Sequence, residues 1–294
     1  MESLGMNPAF WNNKSVFLTG HTGFKGGWIA LWLSHMGAKV YGYALTPPTT
    51  PNFFNETNLS NHLKQSTIGD IRDQDKLTKA LKATSPSLVI HMAAQPLVRE
   101  SYVTPVETYA TNVMGTVNLL DAIRRTDSVQ AVVNITTDKC YDNKEWIWGY
   151  RENDRLGGYD PYSSSKACSE IATAAYRNSF LAGSGIHVAT ARAGNVIGGG
   201  DWADDRLIPD LLRALDAEET LQIRSPNAVR PWQHVLEPLS GYLLLGAQLS
   251  KKNELHGEAY NFGPSSQQNY SVSELIDEMS KYWENISWND ISQA

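Results

Sequence analysis

The chain of 294 residues is 41% hydrophobic and 19% charged, with a formal net charge of -6. A chain of this length and balance buries a large core in one or two globular domains and is too apolar to stay disordered. With no dense Lys/Arg tract, the acidic balance argues against nucleic acid or an anionic membrane surface as the main partner, while local positive charge still permits a small anionic ligand.

Residues 1–11 show no basic flank followed by an apolar run, and no stretch of about 18 apolar residues occurs anywhere. Neither export nor membrane spanning is therefore expected, and the protein reads as cytoplasmic. Cys140 and Cys168 have neither CxxC spacing nor a nearby set of His ligands, so both read as reduced packing residues and no metal is expected.

Through the first two thirds, apolar runs alternate with helical periodicity, the pattern of βαβ units on a parallel sheet. Residues 15–19 (SVFLT) predict a buried strand, and residues 23–36, with Trp28, Ile29, Leu31 and Trp32, the helix that follows. A second strand spans 39–44 and runs into 46–54, where Pro47, Pro48 and Pro51 force a loop. A third strand at 66–68 ends in Gly69-Asp70, and residues 73–84 resume helical spacing. A fourth strand at 88–91, a long helix at 106–125, a fifth strand at 131–136, a helix at 159–180 and a sixth strand at 187–192 complete the series. Beyond about residue 194 the texture changes to a turn-rich stretch, Gly198-Gly199-Gly200-Asp201-Trp202, with helices at 207–215 and 232–249. The expectation is an α/β fold, a Rossmann-type doubly wound parallel sheet over residues 10–193, with a smaller C-terminal substrate lobe over 194–294 whose loops close over the C-terminal ends of the strands.

Thr19-Gly20-His21-Thr22-Gly23-Phe24-Lys25-Gly26 leaves the first strand and opens the first helix. Glycines at 20, 23 and 26 permit a tight turn and close backbone approach, and the helix N-terminus offers unpaired N–H groups to a pyrophosphate. The cofactor's ribose is less decided. NAD users place a carboxylate at the end of the second strand and NADP users an arginine, but residues 41–55 hold neither acid nor base. The absence of a cation there favours NAD, while His21 and Lys25 in the turn keep NADP open. Asp70, at a strand end, is placed to accept from the adenine amine.

Tyr162 and Lys166 lie four residues apart on one helix face, where the ammonium is expected to favour the phenolate and lower the tyrosine pKa toward neutrality. That makes Tyr162 a proton acceptor for a sugar hydroxyl during hydride transfer, with Lys166 also holding the nicotinamide ribose. Thr137-Asp138-Lys139, at the end of the fifth strand, faces the same crevice. Thr137 can bond the reacting oxygen, and Asp138 and Lys139 supply an acid and a base side by side.

This constellation resembles the extended short-chain dehydrogenase/reductase superfamily and, within it, the CDP-glucose 4,6-dehydratases. The resemblance covers roughly residues 10–283 and is carried by TGHTGFKG at 19–26, HMAAQPLVRESY at 91–102, TTDKCYDN at 136–143, ARAGNVIGGGDWADDRLIPD at 191–210 and RPWQHVLEPLSGYL at 230–243. It implies an NAD-dependent lyase of deoxysugar and O-antigen lipopolysaccharide biosynthesis. Such an enzyme oxidises C4 of the glucose, eliminates water across C5 and C6, and returns the hydride to C6.

Where related dTDP-glucose dehydratases carry Asp-Glu after the threonine, this chain has Asp138-Lys139. By position Asp138 would protonate the departing C6 hydroxyl and Lys139, kept neutral by desolvation or by neighbouring cations such as Lys166, would take the C5 proton. The resemblance further implies that Gly20, Thr22, Gly23, Phe24, Gly26, Asp70, Ile71, Ala93, Ala94, Gln95, Asn112, Tyr162 and Lys166 surround the dinucleotide, Asn112 supporting the tyrosine. Asn195, Arg206 and Arg230 are assigned to the nucleotide sugar, Arg230 foremost because a guanidinium suits a diphosphate. A homodimer is implied through the helices at 106–125 and 159–180. The family pattern runs some tens of residues past 294, so the lobe is expected to be short at its C-terminus. A nucleotide-sugar 4-epimerase, which needs no acid/base pair after the threonine, and a non-catalytic dinucleotide-binding module are the alternatives.

Overall fold

The computed structural model describes residues 7–251, 253–265 and 268–292. Seven strands form one parallel sheet: β1 (Ser15–Thr19), β2 (Lys39–Ala44), β3 (Gln65–Ile68), β4 (Leu88–His91), β5 (Ala131–Ile135), β6 (His187–Ala193) and β7 (Ala259–Phe262). Their spatial order is β7-β6-β5-β4-β1-β2-β3, every neighbouring pair parallel. The order reverses between β1 and β4, and the crevice above such a reversal is where ligands of doubly wound sheets bind.

Both faces of the sheet are covered, as parallel strands require. On one face Val16, Leu18, Ile90, Val133 and Ala191 pack against Ile29 and Leu33 of α1 (Phe24–His35) and against Leu239, Tyr242 and Leu243 of a late helix, Leu236–Leu249. On the other, Phe17, Val89, Val132 and Val188 meet Leu77 and Leu81 of α2 (Gln74–Thr84) and Leu119 and Ile123 of α3 (Gly115–Ile123). The alternation along each strand follows from the two-residue period of side-chain direction.

The six expected strands are present. The seventh, β7, is a four-residue edge strand between Gly257 and Gly263, too short to show a hydrophobic period. The long helix expected at 106–125 is instead a series: Val98–Val103, Pro105–Tyr109, a π-helical turn at Ala110–Met114, and α3. Pro105 starts the second piece because its missing N–H costs nothing in a first turn. The helix expected at 159–180 is α4 (Pro161–Tyr176), capped by Asp160 accepting from Ser163 N at 2.9 Å, and it runs into a π-helical turn at Arg177–Leu181. The helix expected from 232 begins at Leu236, because residues 229–230 and 233–234 are spent on short strand pairs.

α5 (Leu207–Asp216), the strand pair Leu221–Ile223/Trp288–Asp290 and the helix Val272–Met279 build a small core of Leu211, Leu221, Ile223 and Ile276, while α6 (Leu236–Leu249) and β7 pack with the main sheet. If α6 belongs to the sheet's own core, Leu243→Ala, at a fully buried position, will destabilise the whole protein by about 2–5 kcal/mol. Urea unfolding followed by circular dichroism will then show one shifted transition, whereas an unmoved main transition would make α6 a separate unit.

Candidate functional site

At the end of β1 the chain turns through Gly20, whose φ is +81°, and a Cβ there would come within 2.8 Å of the Ala93 backbone. A Cβ on Gly26 would approach the Gly20 carbonyl oxygen to 1.9 Å, so turn and helix touch backbone to backbone. Gly23 meets nothing closer than 3.5 Å and caps α1 without a side-chain bond, leaving the first turn's N–H groups open toward the cleft.

The cleft above it has a volume of about 410 Å³ and joins elements far apart in sequence. Of the residues assigned to a dinucleotide, Gly20, Thr22, Gly23, Phe24, Gly26, Asp70, Ile71, Ala93, Ala94, Tyr162 and Lys166 line it, and Arg206 lines it from the small lobe. Gln95 and Asn112 do not. Asn112 is buried behind the wall, where its side chain accepts from Gln95 N at 2.8 Å and donates to Gln95 O at 3.0 Å and to Ser165 Oγ at 2.9 Å. It holds α4 against the loop after β4. Asp70, expected to meet an adenine, has its carboxylate engaged by Arg72, which donates through Nε and Nη2 at 2.6–3.1 Å and through its backbone N at 2.8 Å. Those bonds hold Asp70 below the usual carboxylate range.

Of the two basic residues of the turn, Lys25 lines the cleft and His21 does not. His21 is fully buried, its ring packed on Gly42 and its Nε2 2.7 Å from Ser66 Oγ, and burial lowers its pKa to about 4. Lys25 points the other way, donating to the Tyr242 hydroxyl of α6 at 3.1 Å. Burial, with repulsion from Lys166 and Arg206, lowers Lys25 to about 7. The rim at Leu45, Thr46, Pro48, Thr49 and Asn52 carries no charge, which leaves no partner for a 2′-phosphate there.

Just past Ile135 and Thr136, which line the cleft, Thr137-Asp138-Lys139 leaves β5 in a short 3₁₀ turn outside that lining, Thr137 Oγ1 donating to Asp138 Oδ1 at 3.1 Å. Tyr162 is 9% exposed, with Thr137 hydrogen-bonded to its phenol. Lys166 Nζ donates to Ile135 O at 3.2 Å. The expectation that Lys166 lowers the tyrosine pKa does not hold in this structure: burial pushes Tyr162 up to about 12, against a smaller opposing effect of the Thr137 bond, and burial pulls Lys166 down to about 8. Desolvation is the largest cause at each group, and neither acts measurably on the other. Lys139 is not desolvated as supposed; its side chain is 35% exposed, with Nζ 3.8 Å from Asp138 Oδ1.

Among the substrate residues, Arg206 donates to Asp201 Oδ2 at 2.8 Å at the start of α5. Asn195 buries its Oδ1 without a protein partner and does not line the cleft. Arg230 is exposed, its guanidinium donating to Val229 O, and lies off the cleft. Sequence reasoning missed Tyr242 as the partner of Lys25 and the buried polar groups beneath α4. His91, 4% exposed, joins Thr19 Oγ1 at 2.8 Å to Thr116 Oγ1 at 3.0 Å. Glu170 pairs with Arg192, Nε to Oε1 at 2.8 Å, both side chains about 5% exposed. A carboxylate at 170 one turn beyond Lys166 is a signal in the sequence, but its strand partner is not. Among the described residues no group of three or more His, Cys, Asp or Glu is placed to hold a metal, and no helix is long and apolar enough to cross a membrane.

A family model described as GDP-mannose 4,6 dehydratase matches residues 17–291. A CDP-glucose 4,6-dehydratase of Salmonella typhimurium is 54% identical over 285 residues, 95% of this chain and 79% of that protein. A dTDP-glucose 4,6-dehydratase of Xanthomonas campestris pv. campestris is 28% identical over 272 residues, 88% of this chain and 74% of that protein. Among solved structures, the dTDP-glucose 4,6-dehydratase DesIV of Streptomyces venezuelae, with NAD and TYD bound, superposes with a TM-score of 0.79 at 24% identity, covering 95% of this chain and 84% of that one. Pal from Bacillus thuringiensis does so at 0.82 and 22%, covering 95% and 85%. At those identities the two structures bear on fold alone.

The buried imidazoles make the site acid-sensitive. His91 is lowered from the ordinary 6.5 to about 3 by burial and by Lys166, and His21 to about 4. Between those values and 6.5 the unfolded chain binds protons that the folded one refuses, so stability rises with pH across that window and falls on acidification. Urea midpoints from pH 6.5 down to 4 will therefore decline. His91→Gln will remove up to about 1.4 kcal/mol per pH unit of that slope; an unchanged slope would place its origin elsewhere.

Proposed function

The chain belongs to the GDP-mannose 4,6 dehydratase family, and from that membership we propose that it is an NAD-dependent CDP-glucose 4,6-dehydratase converting CDP-glucose to CDP-4-keto-6-deoxyglucose and water. The observation that carries the reading is the joining, on one cleft, of a glycine turn, a buried Tyr162/Lys166 pair and the strand-end segment that continues into Thr137-Asp138-Lys139. NAD, cradled by Gly20, Gly23 and Gly26 between Ile71 and Ala93, would supply the acceptor and donor of hydride and, through its cationic oxidised nicotinamide, a charge that favours the phenolate.

The residues divide the proton transfers. Tyr162 takes the proton of the C4 hydroxyl as hydride leaves C4, with Thr137 bonded to the same oxygen and Lys166 on the adjoining helical turn. The resulting C4 ketone acidifies C5. Lys139 removes the C5 proton, Asp138 protonates the C6 hydroxyl, and the C6–O bond breaks to release water. Hydride addition at C6 and return of the proton to C5 complete the product. These roles need Lys139 neutral and Asp138 protonated, and passage of one proton from Nζ to the carboxylate 3.8 Å away would supply both forms at once. Arg206 and Asn195 are the groups we assign to the nucleotide sugar, within a lobe made of residues 194–235 and the region after β7.

A nucleotide-sugar 4-epimerase would need the same Tyr162 and Lys166 but no acid and base after Thr137, and a non-catalytic binding module would need none of these. A homodimer is further proposed, because Tyr102, Val103, Val106, Tyr109 and Met114 leave apolar side chains exposed along 98–114, as Ile171 does on α4. A cytoplasmic location is part of the same reading.

Incubation with NAD and CDP-glucose will yield a 4-keto-6-deoxy sugar, read by its alkaline absorbance; substrate left intact by folded, NAD-loaded protein contradicts the proposal. Lys139→Ala will stop dehydration while still letting CDP-glucose reduce the bound NAD. Normal dehydration by that variant would take the C5 proton away from Lys139.

A further inference from the structure

The segment bearing the acid and base is fastened at both ends to one buried ion pair. On its N-terminal side, Thr136 Oγ1 donates to Glu170 Oε1 at 2.5 Å. On its C-terminal side, Arg192 Nη1 donates to the Tyr141 hydroxyl at 2.7 Å, the guanidinium lies 4.9 Å from the Tyr141 ring centroid, and the Tyr141 hydroxyl donates to Asn261 Oδ1 at 2.7 Å. Between these anchors lie Thr137, Asp138, Lys139 and Cys140. The pair itself is doubly bonded, Arg192 Nε to Glu170 Oε1 at 2.8 Å and Nη2 to Oε2 at 3.0 Å. Thr190 Oγ1 donates to Oε2 at 2.8 Å, and Arg192 Nη1 also donates to Glu152 O at 2.9 Å. Glu170 lies one turn beyond Lys166 and two beyond Tyr162 on α4. A bidentate guanidinium–carboxylate pair is rigid in both distance and plane.

We propose that Glu170 and Arg192 are positioning residues that set the separation between two groups of catalytic side chains: Asp138 and Lys139, which eliminate water, and Tyr162 and Lys166, which serve the oxidation. The inference rests on the dehydratase reading. Neither residue touches substrate; they act through Thr136 and Tyr141. Oxidation at C4 depends on the glycine turn and on α4, which keeps its bonds to Asn112, Thr116 and Asn134 when Thr136 or Tyr141 loses its hydroxyl, whereas elimination depends on where the 137–140 turn sits relative to the hexose. Loosening the anchors therefore slows elimination more than oxidation.

Breaking the pair directly would leave a buried charge unpaired and risk unfolding, so the test uses its neutral anchors. Thr136→Val and Tyr141→Phe each remove one hydroxyl and keep the pair intact. In single turnovers with NAD and CDP-glucose, read by reduced-nicotinamide absorbance, both variants will accumulate reduced cofactor, with elimination slowed roughly ten- to hundredfold and C4 oxidation little changed. Thr136→Ser will restore the normal partition. Thr84→Val, which removes a buried hydroxyl of α2 away from both the segment and α4, will leave it as in the parent. Amide hydrogen exchange of residues 137–140, measured without substrate, will quicken in the two variants. A parent protein that turns over while the variants keep its partition and its exchange overturns this inference alone. A parent that neither reduces NAD nor dehydrates CDP-glucose overturns the function and this inference together.

Discussion

The inner face of α4 is polar where a sheet-packing helix is ordinarily apolar. Ser165, Lys166, Ser169, Glu170 and Thr173 are all buried there, opposite His91, Asn134, Thr136, Thr190 and Arg192 of the sheet. An unpaired buried group of this kind costs about 1–3 kcal/mol, so the layer is tolerable only when closely matched. Asn134 Nδ2 donates to Ser169 Oγ at 3.1 Å and Thr173 Oγ1 at 2.9 Å, Thr116 lies 3.1 Å from Ser169 Oγ, and His91 carries the chain of bonds to Thr19 at the edge of the glycine turn. Hydrogen bonds have directions that apolar contacts lack. The layer therefore fixes the angle and depth at which the Tyr162/Lys166 helix lies on the sheet.

From that placement the electrostatics of the cleft follow. Lys25, Lys166 and Arg206 converge on the cleft of a protein whose overall charge is negative; burial holds both lysines well below their free values, and Lys166 and Arg206 add repulsion at Lys25. An anionic ligand entering the cleft relieves that repulsion, and a dinucleotide or a sugar diphosphate is such a ligand. The same burial raises the Tyr162 phenol, so the pair alone does not generate a phenolate. Additional positive charge at the reacting centre is required, and an oxidised nicotinamide carries it.

The 194–235 segment is tied to this centre directly: Trp28 of α1 donates to Gly199 O at 2.8 Å in the loop leading to Asp201 and Arg206. At position 194, where the chain enters the lobe, a Cβ would lie 2.8 Å from Asp138 Oδ2. Sugar-side and cofactor-side residues thereby share one rigid wall, which suits a reaction that returns its hydride to the molecule that gave it.

The local features were legible along the chain: alternating strand and helix patterns, a glycine turn after an apolar strand, a tyrosine and lysine one turn apart, and a threonine, acid and lysine after the fifth strand. Each depends on neighbours within a few residues, where periodicity and backbone freedom act. Four matters were decided only by the fold. β7 joins β6 across more than sixty residues, Glu170 finds Arg192 on a strand, Asn112 turns to the wall and not the cleft, and burial reverses the direction expected for the Tyr162 pKa. Strand partnership, desolvation and buried hydrogen bonding depend on which distant segments come to lie together, and no local window of residues contains that information.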